Sequence, residues 1–308
     1  MSLLEVKDLS MTFQAGPPWA RRPVQALRNI NLSIAPGEVI GLVGESGSGK
    51  STLGNIMIAR MLATSGQVTH HGEPLHPKDR RRRAGKFAAV LQHPKWSLNP
   101  MLKVSESVIE PLKILGQAGG EKDQMRIVGE ALEQVGMPQN YQDRYPHELS
   151  GGQRQRVSIA RALVTKPEFV LFDEAVSALD VSVQAQVLNL IKSLQAEVGF
   201  SALFISHDLA ATRYVASRIA VLYAGQLVED APAKSFYGIA AHPYSQGLQY
   251  ASALIDNDEA ELKIGQVDLT TLGCPLVQRC PKATDICKSK PIAPTAKAKG
   301  HLVACHHV

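Results

Sequence analysis

The feature that most narrows what this chain can fold into is the run Gly44-Glu45-Ser46-Gly47-Ser48-Gly49-Lys50-Ser51. It follows an apolar stretch, Val39–Val43, and precedes a helix-compatible one, Thr52–Ala63. A strand, a glycine-rich turn and a helix in that order let successive backbone N–H groups converge on one point. The helix N-terminus adds its dipole there, so the natural occupant is an anion such as phosphate. Lys50 supplies a point charge for outer phosphates, and the Ser51 hydroxyl is a hard oxygen ligand suited to Mg²⁺. An ordinary glycine-rich turn would need neither that lysine nor those flanking elements.

Such a loop demands a parallel sheet behind it, and the chain supplies one. Val39–Val43, Phe87–Leu91, Phe169–Asp173, Ala202–Ser206 and Ile219–Tyr223 are short apolar runs separated by longer helical patterns. Continuous apolar character suits strands buried on both faces. Leu3–Phe13 and Val24–Ile34 alternate instead, and predict a small antiparallel β layer. From Leu98 to Ser150 the pattern turns helical, with helices expected over Ser105–Leu115 and Asp123–Val135; a third is expected over Val181–Val198. After Ala231 the chain becomes rich in Pro, Lys and Cys, which places a boundary near Ala231–Ser235. The expected fold is α/β, a P-loop NTPase with a RecA-like parallel sheet. Residues 1–231 form its ATPase domain, with a helical subdomain at about 98–155, and residues 232–308 form an accessory extension.

Other segments carry chemistry. Phe169-Val170-Leu171-Phe172-Asp173-Glu174 delivers Asp173 to a strand end, where it can hold a Mg²⁺ shell. Glu174, one residue on, is placed to orient or deprotonate an attacking water. Leu149-Ser150-Gly151-Gly152-Gln153 precedes a helical run and reads as a second anion-binding N-terminus. One nucleotide needs one such site, so the second makes sense if it closes over the nucleotide of a partner chain. His207 follows the strand Ala202–Ser206 and reads equally as a strand-end histidine or as a sensor of a terminal phosphate.

Taken together, these segments resemble the nucleotide-binding subunits of ABC transporters across nearly the whole chain. Gly44–Ser51 is similar to the family's Walker A loop, Gln92 to its Q-loop residue, and Leu149–Gln153 to its signature. Asp173 and Glu174 match Walker B with the catalytic glutamate, Ser177-Ala178-Leu179-Asp180 the D-loop, and His207 the switch histidine. The resemblance implies that Glu174, His207 and Gln92 act in catalysis, with Ser51, Gln92 and Asp173 around Mg²⁺. It implies further that Thr52 joins the loop on the nucleotide, that Phe13 stacks on adenine, and that Ser150, Gly151, Gly152, Gln153 and Asp180 complete a nucleotide site across a dimer.

Within that family, Gln92-His93-Pro94-Lys95-Trp96-Ser97-Leu98-Asn99-Pro100 and His242-Pro243-Tyr244-Ser245 resemble the peptide and nickel importer branch. Two departures stand out. Ala175 replaces the proline most relatives carry after Walker B, which moves no catalytic group, and His93 replaces an aspartate. The resemblance implies a heterodimer of related ATPases, two transmembrane permease subunits and an extracytoplasmic solute-binding protein. Di- or oligopeptides are the expected cargo, with nickel, glutathione and opines as alternatives.

The four cysteines, Cys274, Cys280, Cys287 and Cys305, all lie in the last 35 residues. In a reducing compartment such a group suggests metal ligation before disulfides. The resemblance implies a four-iron, four-sulfur cluster. The absence of C-x2-C knuckles tilts away from zinc, while His301, His306 and His307 keep a mixed Cys/His zinc site open. Net charge is only +5, and Arg80-Arg81-Arg82-Arg83 reads as a solvated turn, so no nucleic-acid partner is expected. No run of about 20 apolar residues appears, and Met1–Lys7 lacks a secretory layout, so a cytosolic location is the default expectation; the resemblance implies the cytoplasmic face of the inner membrane, peripherally held. A soluble ABC-type ATPase acting on DNA or ribosomes is the competing class. The interval between Walker A and the signature is too short for a coiled coil, and only one ATPase half is present.

Overall fold

The computed structural model describes residues 2–17, 19–79, 83–91, 98–253 and 273–308. Arg80–Arg82 and the Gln92–Ser97 segment, which includes Gln92 and His93, lie outside the described residues. The chain opens with β1 (Leu4–Ala15), β2 (Arg22–Ile34), β3 (Val39–Val43), α1 (Lys50–Met57), β4 (Ser65–His70), β5 (Glu73–Pro74) and β6 (Phe87–Val90). It continues through α2 (Val104–Ile114), α3 (Glu121–Gln134), α4 (Gly151–Leu163), β7 (Phe169–Asp173), α5 (Val181–Val198) and β8 (Ser201–Ile205). Then come α6 (Leu209–Val215), β9 (Arg218–Tyr223), β10 (Gln226–Pro232), α7 (Phe236–Ile239) and α8 (Pro243–Ala253), followed by α9 (Asp285–Ser289), β11 (Thr295–Ala298) and β12 (His301–Val303).

These elements gather into two compact units. The first draws on residues 1–34, 39–76 and 206–308. Its antiparallel layer runs β2-β1-β4-β5, with Val6 opposite both Leu32 and Val68. The alternation read in the sequence is that layer's inside–outside pattern, and β4 and β5 extend it beyond the two strands expected. In the same unit β3 pairs in parallel with β9 through Gly41↔Ile219, and β10 runs antiparallel to β9. The second unit, residues 35–38 and 77–205, contains the parallel strands β6, β7 and β8 with α2 to α5. Every residue of β3, β7 and β8 is buried, as strands covered on both faces require.

Helix α1 stops at Met57, six residues short of the expected end. Ala59 takes φ +51, and Arg60 N–H donates back to the Asn55 carbonyl at 2.8 Å, a Schellman closure made without glycine. In α3 the same closure uses Gly136 at φ +68, with Met137 N–H on the Leu132 carbonyl at 2.9 Å.

Past Ala231 the texture looks irregular, yet the chain returns to the first unit's sheet. β12 pairs antiparallel with β10, Glu229 opposite Val303, and β11 pairs with β12. Phe236, Tyr244, Cys274, Leu276, Val277 and Cys287 join Val43, Ile219, Val221 and Tyr223 in one apolar cluster. Each large side chain buried this way contributes on the order of 2 kcal/mol. The cysteine-bearing segment is therefore packed and not a loose tail.

One buried carboxylate ties this segment down. Glu229 Oε1 accepts from Ala241 N–H at 2.8 Å and shares a 2.8 Å hydrogen bond with His301 Nε2, while Oε2 accepts from His242 N–H at 3.0 Å. His242 Nδ1 in turn accepts from Tyr244 N–H at 3.1 Å, closing the His-Pro-Tyr turn that starts α8. Burial lowers the His242 pKa to about 4, so the ring stays neutral in the fold. The unfolded chain binds the proton first as pH falls, so this contribution is complete above the ordinary histidine pKa of about 6.5 and drains away towards the folded value. The expected loss is ~3 kcal/mol between pH 6.5 and 4. Urea unfolding across that range should show His242→Asn with a visibly flatter pH dependence than the wild type; equal slopes would refute the assignment.

Candidate functional site

The glycine-rich loop folds as its sequence demands. Gly44 adopts φ +154, and a Cβ there would stand 2.1 Å from the Leu222 carbonyl oxygen, a contact only glycine avoids. Gly49 caps α1 at φ +106. Glu45, Ser46, Gly47 and Ser48 close a turn in which Ser48 N–H donates to the Glu45 carbonyl at 3.2 Å. Lys50 is buried, and its Nζ lies 2.8 Å from both the Gly44 and Glu45 carbonyls, so its ammonium folds back over the loop. Ser48 Oγ is buried without a hydrogen-bond partner among the described residues. Ser51 and Thr52 occupy the first turn of α1, where the helix dipole favours an anion.

In the same unit, Phe13 lies near the end of β1, half-buried and opposite Val24. His207 is exposed two residues past the end of β8. The residue after it, Asp208, caps α6 by accepting from Ala211 N–H at 3.0 Å, which fixes the backbone that carries the imidazole.

Two further residues reach the loop. Tyr244 Oη accepts from Glu45 N–H at 2.9 Å, and Arg279 Nη2 stands 3.5 Å from Glu45 Oε1. The sequence marked Tyr244 only through its motif and gave no signal for Arg279, which sits in an aperiodic turn between two cysteines.

The second unit carries the remaining motifs. Asp173 ends β7, buried to 9% exposure, and Glu174 follows at φ +50 with its N–H on the Ile205 carbonyl at 3.0 Å. A left-handed φ on a non-glycine residue costs about 1 kcal/mol or more and recurs where a side chain must be aimed. Ala175 beside it is buried, and Ser177 Oγ donates to the Glu174 carbonyl at 3.0 Å. Asp180 occupies the N-cap position of α5.

Ser150 caps α4 through a reciprocal box. Its Oγ accepts from Gln153 N–H at 3.3 Å, while Gln153 Oε1 accepts from Ser150 N–H at 2.9 Å. Gly151 and Gly152 form the first turn, and a Cβ on Gly152 would lie 2.5 Å from Val183 Cγ1 of α5. A cleft of about 290 Å³ opens beside this turn, lined in part by Ser150, Gly152, Gln153 and Arg156.

The four thiols belong to the first unit. Burial pushes Cys274 up to about 11 and raises Cys280, and the neighbouring thiols push in the same direction. Of the three histidines weighed as zinc ligands, His301 is committed to Glu229, and His306 Nε2 lies on the Lys290 carbonyl at 3.2 Å. His307 Nε2 is 3.4 Å from Cys287 Sγ.

Comparison with known proteins bears on all of this. An ABC transporter model matches residues 27–177, and a model of the oligopeptide/dipeptide transporter C-terminal region matches 228–287. A Brucella abortus protein whose name describes a peptide import ATP-binding protein is 42% identical over 99% of this chain and 94% of its own length. The oligopeptide transport ATP-binding protein OppF of Bacillus subtilis is 45% identical over 86% of this chain and 87% of its own.

The chain belongs to the ABC transporter family.

Among solved structures, the dimeric ATP-binding cassette MJ0796 in a post-hydrolysis state with ADP and Pi superposes with a TM-score of 0.66 at 30% identity, over 75% of this chain and 98% of that one. As a member of this family the chain binds and hydrolyses ATP with Mg²⁺ in a transport system. Among the described residues no helix is long and apolar enough to cross a membrane.

The contact between α4 and α5 gives a direct test. Gly152→Ala should cost ~1–3 kcal/mol by forcing its methyl onto Val183, and Val183→Ala in the same chain should recover most of that in urea denaturation. A Gly152→Ala chain as stable as the wild type would contradict the contact.

Proposed function

We propose that this ABC ATPase energises the import of di- or oligopeptides. The observation that carries the reading is the C-terminal region. Residues 228–287 match the oligopeptide/dipeptide transporter model, in a chain whose full-length relatives are named for peptide import. In this reading it sits at the cytoplasmic face of the membrane, pairs with a related ATPase chain and drives two permease subunits fed by an external solute-binding protein. A groove of about 130 Å³ between α2 and α3, lined by Ile109, Met125 and Val128 among others, offers an amphipathic surface for a permease segment.

The residue roles in this reading are those that the family resemblance implies. Loop N–H groups between Gly44 and Ser51 take the phosphates, Lys50 turns its ammonium to them, and Thr52 supports the same turn. Phe13 supplies an aromatic face for adenine. Oxygen donors of the kind offered by Ser51, Gln92 and Asp173 suit Mg²⁺, which would neutralise charge on the phosphates. Glu174 takes a proton from the attacking water, and His207 donates a hydrogen bond to the terminal phosphate. The capped turn Ser150–Gln153, with Asp180, serves the nucleotide of the paired chain. A single chain then holds ATP but turns it over poorly.

Within the same proposal, Cys274, Cys280, Cys287 and Cys305 hold a four-iron, four-sulfur cluster. The donor set suits it, since cysteine thiolates are the ligands that iron–sulfur clusters take. Among the described residues these sulfurs are not gathered into a ready-made metal site. Bound there, a cluster would supply a covalent cross-link across the segment.

Two measurements test these statements. In sealed vesicles carrying the assembled transporter, peptide uptake should require ATP, and Glu174→Gln should cut turnover by roughly 10²–10⁴ while nucleotide binding persists. Wild-type turnover would remove Glu174 from the mechanism, and uptake of nickel or glutathione with peptide refused would overturn the cargo. Anaerobically purified protein should be brown and contain iron; colourless, iron-free protein would defeat the cluster.

A further inference from the structure

Glu45 is the only acidic residue in the glycine-rich loop. A carboxylate beside a turn built for a polyanion repels what the turn is meant to bind. At 5–10 Å such a like charge in a partly buried site is worth an order of magnitude in affinity. Other residues of the same unit oppose that effect from outside the motif.

The Arg279 guanidinium meets the Glu45 carboxylate at 3.5 Å and donates through Nη1 to Tyr223 Oη at 3.0 Å. Its Cζ lies 5.8 Å from the Tyr223 ring centroid, so an aromatic face backs the cation. The Tyr223 ring in turn packs 4.4 Å from that of Tyr244, and both phenols are buried. Tyr244 takes the other end of the same residue, accepting its backbone N–H at 2.9 Å. One loop residue is thereby held at its peptide and at its side chain, by groups that arrive from β9, from α8 and from the turn preceding Cys280. The Glu45 carbonyl is itself a partner of Lys50 Nζ at 2.8 Å, so displacing Glu45 displaces the lysine's anchor.

We propose that Arg279 and Tyr244 are positioning residues of the nucleotide site, through which the C-terminal segment neutralises and fixes Glu45 and so presets the loop for a nucleoside polyphosphate. Neither belongs to the loop, and neither needs to touch the nucleotide. The inference rests on the reading of Gly44–Ser51 as the phosphate site.

The test is equilibrium titration of the full-length chain with a fluorescent ADP analogue and Mg²⁺. Arg279→Gln should weaken binding about tenfold, because it leaves the carboxylate uncompensated. Adding Glu45→Gln to that variant should restore affinity to within about threefold of the wild type. Arg279→Lys should retain most of the affinity, and Tyr244→Phe should lose part of it by releasing the Glu45 peptide. The rescue is decisive, since an arginine that merely held the segment in place would not be replaced by removing a charge from the loop. Wild-type binding by Arg279→Gln, or a double variant no better than the single one, overturns the proposal. Should Arg279→Gln fail to fold, Tyr244→Phe decides, and wild-type affinity there is equally fatal. Lys50→Ala, titrated alongside, separates the two readings. If it binds normally, the phosphate-loop assignment fails; if it loses binding while the Arg279 and Tyr244 variants do not, only the positioning role fails.

Discussion

Burying a carboxylate costs several kcal/mol unless the protein replaces its water shell. Glu229 meets that condition with two backbone N–H groups and one imidazole, all within 3.0 Å. Much of the first unit depends on it. Two of its partners fix the His-Pro-Tyr turn, and the third carries β12 onto the edge of β10. Remove the carboxylate and three buried donors lose their acceptor at once. The turn that aims Tyr244 at the glycine-rich loop then loses its anchor. A motif that looks like a family label thus has a mechanical meaning: histidine and tyrosine sit two residues apart so that one ring braces the backbone of the other.

The parts of the fold that could be read from sequence are those governed by periodicity. β3, β7 and β8 announced themselves because they are runs of apolar residues, broken only at one end by Asp173 and Ser201, and β1 and β2 because they alternate. The expected helix over Asp123–Val135 ended within one residue of the observed stop at Gln134 because glycine at 136 marks it, whereas α1 was overextended because Ala59 makes the same left-handed closure with no visible sign. The C-terminal segment defeated pattern reading for another reason. Its pieces, such as α9 and β12, span five residues or fewer and show no period, and their stability comes from contacts with β9 and β10 far away in sequence.

Candidate site residues stand out in the sequence where chemistry forces a local pattern. Glycines around Lys50, a serine cap with glutamine three residues on, and an acidic strand end each have few structural substitutes. Arg279 had no such signature, since its role is defined only by what folding brings to it. Glu174 lies between these cases. Its identity was plain, but its left-handed backbone at φ +50 is a property of the packed strand end that no composition reveals. The Gly152 contact is similar: the signature glycines read as anion-binding, yet Val183 leaves no room for a methyl, so close packing of α4 on α5 by itself calls for glycine there.

The pairing of Glu229 with His301 spans 72 residues of chain. At synthesis rates of 5–20 residues per second, a ribosome needs roughly 4–15 s to travel that distance. Throughout this interval β10 has left the ribosome with its outer edge unpaired and a carboxylate awaiting its imidazole. An exposed strand edge on a nascent chain is a template for wrong partners, including the same strand on a neighbouring polysome product. The order in which the elements emerge therefore makes the β10–β12 part of this unit a late folder, and its dependence on helpers during translation should exceed that of the unit's antiparallel layer, whose strands all emerge within the first quarter of the chain.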